Sequence, residues 1–284
     1  MDSIKEGFFI AKQNIRKWTT NPRMYVLVIL ITIFLWSSIS PILRFSNHSG
    51  IRVTPWIFPH LASSFIGDLV IMLGIVLLFC DAPFIDEGQP YVIIRSGRYN
   101  WIVGQIIYIM LGTIIYILFV VLISILISLP NIFLSGDWGK LLNTFGQTNV
   151  GVDYGITYIS NKILSTYSPI KAMGVTILLQ WCAGTILGLL MFIININFNR
   201  GVGAIVASTL VLLDGAIYKN FPNFKLFHVS PVSLSKIALI DPTGLSTYPT
   251  NEYAYIFFAV TIILLIALTI IVGRKKAIHV LPPL

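Results

Sequence analysis

Six apolar runs, each close to or above the length needed to cross a bilayer, constrain this chain more than any other feature. They cover residues 24–43, 61–80, 101–129, 170–198, 202–218 and 253–272. A hydrocarbon core of about 30 Å takes about 20 helical residues to cross, and it holds no water for unpaired backbone groups, so helices are the economical way to span it. With 56% hydrophobic and 11% charged residues, the chain departs from soluble domains, in which about 25% are charged. The expected fold is an all-α integral membrane protein. Six transmembrane helices occupy 24–272, with a polar connecting loop at 81–100 on one side and loops at 44–60, 130–169 and 219–251 on the other; residues 273–284 form a tail.

Residues 1–23 are not apolar enough to span. Ile4, Phe8, Ala11, Ile15 and Trp18 recur at steps of four and three, whereas Lys5, Lys12, Arg16 and Lys17 fall largely elsewhere. That spacing describes a basic amphipathic helix lying in the headgroup plane, with Phe8, Lys12, Ile15, Arg16 and Trp18 as its interfacial residues. A cleaved targeting segment is the alternative, but the apolar run that follows is too long for a signal peptide. Asn21-Pro22 ends the helix and turns the chain into the membrane.

Six spans place both termini on one side. The segments on that side carry eleven lysines and arginines, including Arg95, Arg98, Arg200 and Arg274-Lys275-Lys276; the other side carries eight over longer loops, Lys236 among them. Positive charge collects in the cytoplasm, so both termini and the 81–100 loop are expected there. The net charge of +8 is thereby a matter of topology, with no basic stripe for nucleic acid.

The spans contain few candidates for chemistry. Gly184 and Gly188, and Gly203 and Ala207, repeat a four-residue spacing that lets helices approach closely, either within the chain or between subunits. Asp68 and Asp214 stand in or beside apolar runs. Near the ends of their spans they are expected to lie within reach of water; a polar translocation path or proton relay is the alternative. No catalytic or metal-binding residue is assigned. His48, His60 and His228 fall in outer loops or at a loop edge, and metalloprotease, serine-hydrolase and phosphate-loop motifs are missing from the sequence. Cys80 and Cys182 read as small apolar residues.

The 81–105 stretch carries Asp81, Asp86, Glu87, Arg95 and Arg98 between two spans. Pro83 and Pro90 favour a bent segment over a continuation of the preceding helix, and Gly97 permits a turn before Trp101 enters the bilayer. The series Phe84-x-x-Glu87, Ile94-Arg95-Ser96-Gly97-Arg98-Tyr99 and Trp101-Ile102-Val103-Gly104-Gln105 resembles the loop between the second and third spans of ABC-2 type transporter permeases. Pro90 and Gln105 depart from the pattern, since the family keeps a helix-compatible residue and a lysine there. The amphipathic helix, six spans, short 199–201 link, long segment before the last span and Ser230-Pro231-Val232-Ser233 extend the resemblance along the chain.

The resemblance implies the membrane subunit of an exporter in a bacterial cytoplasmic membrane. It would pair with a second permease and two cytoplasmic ATPase subunits, which would bind ATP and Mg; this chain would bind no cofactor. Phe84, Asp86 and Glu87 would contact the ATPase, and Arg95 and Arg98 would hold the segment by charge-assisted hydrogen bonds. Bacteriocin-like peptides, toxins or peptide antibiotics come first as substrates. An ATP-independent carrier or surface enzyme, and a membrane sensor, remain alternatives.

Overall fold

The structure is a computed structural model that describes residues 2–84, 89–198, 201–220 and 224–275. Asp86, Glu87, Arg200 and Lys276 lie outside these. The described residues are predominantly helical and contain no strand; one parallel bridge, Val53 to Ile132, ties two loops together.

Among the described residues four helices are long and apolar enough to cross a membrane: α2 (Pro22–Ser49), α6 (Arg98–Ser128), α10 (Pro169–Asn197) and α14 (Asn251–Lys275). Two expected spans are shorter. The apolar run of α11 (Val202–Asn220) is described as far as Gly215. The second expected span is broken: α3 (Phe58–Ser63) stops at Ser64, whose ψ of 154° is extended, and α4 (Phe65–Phe79) restarts with the Ser64 side chain accepting the Gly67 N–H at 3.0 Å. Fifteen residues reach only about 22 Å. Hydropathy rates the run 61–80 as one span because a serine pair costs it little, whereas Ser64 as an N-cap ends one helix and begins the next.

The first span also corrects expectation, since α2 continues through Arg44, Asn47 and His48 and ends on Gly50, at φ 71°. Pro41 lies inside it; proline cannot donate to the Ser37 carbonyl four residues back. Helix α10 packs against α4, α6, α11 and α14. Its most apolar window is 61% buried, against 28% in α2 and 17% in α14, so α10 is the inner helix and the other two are peripheral.

Helix α1 (Asp2–Arg16) lies along the first turns of α6. One face of α1 is turned inward, a contact the interfacial reading of residues 1–23 does not include. Gly7, Ile10, Ala11 and Asn14 face α6, where Gly7 meets Val103 and Ile107, Ile10 meets Gly104, and the Asn14 side chain donates to Gln105 Oε1 at 2.9 Å. Ile4 and Phe8, assigned to the same stripe as Ala11, are instead exposed together with Phe9 and Lys12. A glycine and an asparagine escape a hydrophobic count, yet they allow the closest approach.

The 130–169 interval folds into α7 (Gly139–Gln147), α8 (Val150–Asp153) and α9 (Asn161–Thr166). Trp138 anchors it: its indole N–H donates to Tyr167 O at 2.9 Å, and its ring stands edge-on to His60 at 4.9 Å between centroids. His60, expected at a loop edge, is fully buried in α3, and its Nδ1 accepts the Ser160 N–H at 3.2 Å. Burial lowers its pKa to about 3. Between about pH 6.5 and 3 the unfolded chain therefore binds a proton that the folded chain refuses, and stability falls as pH drops through that window. Thermal unfolding of detergent-solubilised protein is expected to show this loss, and His60→Asn, which has no proton to gain there, is expected to flatten it; an unchanged pH profile would contradict the assignment.

Candidate functional site

Two polar assemblies interrupt the apolar bundle at opposite ends of α4. At its C-terminal end, Asp81 pairs with Arg23 at the start of α2, and the Arg23 guanidinium also reaches Cys80 Sγ at 2.8 Å. Cys80 thus contacts an ion pair and is more than an apolar filler. Phe84, at φ 60°, turns its ring onto Tyr108 of α6 (4.8 Å, edge-on) and Phe79 of α4 (6.1 Å). Trp18, just beyond α1, donates its indole N–H to the Tyr108 hydroxyl at 2.8 Å. Asn195 of α10 donates to Ala82 O at 2.8 Å and accepts the Gly203 N–H at 2.7 Å. The turn after α4 is consequently fixed to α1, α2, α6 and the α10–α11 hairpin. A non-glycine residue held at positive φ by such packing carries local strain of the kind found at functional turns.

The chain then forms α5 (Gln89–Ser96). Pro90 is tolerated because it occupies the first turn, where its missing N–H has no helical acceptor. Gly97, at φ 79°, separates α5 from α6. Tyr91 and Ile94 are 76% and 82% exposed. Arg95 is exposed beside them and lines a groove with Glu6 and Phe9 of α1. Arg98 Nε donates to Gly273 O at 2.6 Å, a charge-assisted hydrogen bond that ties the start of α6 to the end of α14. Arg274 of α14 lies over the Tyr99 ring at 4.7 Å. Of the expected coupling residues, Phe84, Arg95 and Arg98 are thus placed near one end of the bundle.

At the N-terminal end of α4 lies a buried ionic cluster. Asp68 and Asp214 are 1% and 3% exposed and share one lysine, Lys236, itself 1% exposed. The ammonium lies 2.7 Å from Asp214 Oδ2 and 3.2 Å from Asp68 Oδ2. Gln180 of α10 donates to Asp68 Oδ1 at 2.9 Å, and Ser235 donates to the same oxygen at 3.2 Å. Ser230 and Ser233 donate to Asp214. These serines flank or belong to α13 (Pro231–Leu234), whose N-cap is Ser230. One cluster thereby joins α4, α10, α11 and the 230–236 segment.

This arrangement overturns two expectations. Asp68 and Asp214 are not at a wet end of their spans, and Lys236 does not mark a solvated outer loop. An isolated charge at such burial is prohibitive, which is why the three occur together. Hydropathy hid Lys236 by placing it in a loop, but its setting in 232–240, Val-Ser-Leu-Ser-Lys-Ile-Ala-Leu-Ile, is apolar. Two unpartnered acids in spans and one lysine in an apolar segment were the available signal.

The small residues are also placed. A β-carbon on Gly184 would meet Ile75 and Thr113, one on Gly188 would meet Ile109 and Phe79, and one on Gly203 would meet Met191 and Asn195; Ala207 is fully buried. All three glycines serve helix contacts within the chain. Among the described residues no group of histidine, cysteine and acidic side chains is disposed to hold a metal. Compared with models of known protein families and with curated proteins, the chain matches none.

Proposed function

We propose that this chain is the membrane subunit of an ABC-2 type ATP-driven exporter, working as a pair with two cytoplasmic ATPase subunits. The observation that supports this best is α5: a short helix set off from α4 and α6, lying beside α1, and presenting Tyr91, Ile94 and Arg95 outward. An apolar pair with a cation on a helix that crosses nothing suits a protein partner. In this reading α2, α4, α6, α10, α11 and α14 are the six spans, and the positive-inside rule puts α1, α5 and both termini in the cytoplasm of a bacterium. The exposed Ile4, Phe8 and Phe9 of α1 then face the headgroup boundary.

ATP binding would close the ATPases and displace α5. Because the turn at Phe84 is packed onto α4, α6 and α1, the displacement would act on several helices together. Helix α4 carries it about 20 Å from Asp81 to Asp68. The Lys236 cluster would resist separation of α4 from α11 at the far end, so the bundle would favour two arrangements over a continuum. Amphipathic peptides, including peptide toxins and antibiotics, are the proposed substrates.

Replacing Glu87 with alanine and Ile94 with aspartate should reduce co-purification with the ATPase at least tenfold and abolish ATP-dependent export, while the permease still reaches the membrane. A hot-spot residue is commonly worth 2 kcal/mol or more, beyond tenfold in affinity. Undiminished assembly and export would remove α5 from the mechanism. The buried carboxylates favour a second reading, an ion-coupled carrier; uptake by the chain alone in liposomes, driven by an ion gradient, would decide for it.

A further inference from the structure

Helix α1 spends one face on α6, where Gly7 fits against Val103 and Ile107 and the Asn14 side chain donates to Gln105. Lys5, Lys12 and Arg16 lie on the opposite face, seven and four residues apart, a spacing that gathers them within about 40° around the helix. Ile4 and Phe8 form an apolar strip about 80° to one side of this row, and Phe9 flanks it on the other. All six side chains are exposed.

The chain does not neutralise these cations itself. Among the described residues none of the three enters an ion pair. Glu6, their neighbour in sequence, accepts instead from Asn100 Nδ2 and lies on the side of α1 that faces α5. Three positive charges are therefore presented together to whatever lies outside.

The position of the row selects what that is. Trp18 bound to Tyr108, and Arg23 paired with Asp81, place α1 at the end of the bundle where α2 and α6 begin and α4 ends. With α2 and α6 across a bilayer, that end lies in one headgroup layer. There Ile4 and Phe8 can enter the acyl boundary while the long lysine and arginine side chains reach back to the phosphates. An acidic soluble partner would satisfy the cations and leave the apolar strip in water. A zwitterionic headgroup brings its own cation, so a net-negative lipid gains most from the row.

We propose that α1 binds anionic phospholipid of the phosphatidylglycerol class, with lipid phosphates on Lys5, Lys12 and Arg16 and acyl chains beside Ile4 and Phe8. Because Gly7 and Asn14 lock α1 to α6, the bound lipid bears on a membrane-spanning helix. The proposal rests on the part of the preceding reading that embeds the chain with α1 at a headgroup boundary, and needs no ATPase.

The test uses the full chain alone in phosphatidylcholine vesicles, with a trace of phosphatidylglycerol or phosphatidylcholine bearing a diazirine on the acyl chain close to the glycerol. After illumination, the phosphatidylglycerol probe should mark residues 4–9 about fivefold more than the phosphatidylcholine probe, the gain expected of one basic residue at an anionic surface. Both probes should mark the exposed face of α14, around Ile256 and Val260, equally. Replacing the row together, Lys5→Gln, Lys12→Gln and Arg16→Gln, should bring the α1 ratio to parity and leave α14 unchanged. On the unaltered chain, salt at about 1 M, where the screening length is about 3 Å, should also bring the ratio close to parity. Excess unlabelled phosphatidylglycerol should displace the probe, and inorganic phosphate at constant ionic strength should not. Equal marking of α1 by the two probes, a ratio that survives the triple replacement, or displacement by inorganic phosphate would each overturn the site while marks on α14 keep the chain in the bilayer. Marks on neither helix would remove the bilayer reading and the site with it. Should the triple variant not reach the vesicles, the salt and competition arms decide.

Discussion

Replacing Lys236 with methionine should destabilise the protein by about 3–5 kcal/mol, the cost of leaving buried carboxylates without their counter-charge. Lys236 contacts both Asp68 and Asp214, at 3.2 and 2.7 Å, and all three are almost wholly enclosed. Methionine fills a similar volume, so the effect should come from charge and not from a cavity. Heat-induced loss of the folded peak in detergent would measure it. The triple variant Lys236→Met, Asp68→Asn, Asp214→Asn should recover most of the stability. If the single variant were as stable as the parent, the cluster would not be the ionic joint described here.

Gly203→Val should be nearly as damaging, by about 2–5 kcal/mol from overpacking and a broken buried hydrogen bond. A β-carbon there would lie 2.7 Å from Met191 O and 2.9 Å from Met191 Cα, which belong to backbone and cannot swing away. It would also lie 2.8 Å from Asn195 Oδ1. Asn195 binds both Gly203 N–H and Ala82 O, so moving it loosens the α10–α11 hairpin and the turn before α5 together. Gly174→Ala is the control: nothing lies within 4 Å of its β-carbon, and alanine at this exposed position of α10 should be neutral or slightly stabilising. Equal stability of the two variants, read by the same thermal assay, would refute the close approach.

Long apolar runs made most of the helices legible, because α6, α10 and α14 begin and end within a few residues of their hydropathy limits. Boundaries set by capping and turns were less so. Ser64 breaks the second run by accepting Gly67 N–H, and α2 runs on past Leu43 because arginine and asparagine are compatible with a helix that has left the apolar layer. At the connector, Gly97 and the separation of α5 from α4 could be read from glycine and proline. What Arg98 binds could not, since its acceptor is a backbone carbonyl 175 residues away. The ionic cluster was only partly visible: the two acids in apolar runs stand out, but their places near the span ends suggest contact with water, and Lys236 joins them only through a fold that brings residues 230–236 back against α4 and α11. Burial reverses the meaning of such residues, and burial depends on contacts distant in sequence.

The proposed export mechanism requires α5 to meet a nucleotide-driven partner in the cytosol. A photo-crosslinking amino acid at Ile94, whose side chain is 82% exposed, tests this most directly in intact cells. The predicted product is a covalent adduct with an ATP-binding cassette ATPase subunit, diminished by replacing Glu87. An Ile94→Cys variant labelled from outside the cell by a membrane-impermeant thiol reagent would contradict the account, because no cytosolic ATPase could then reach α5.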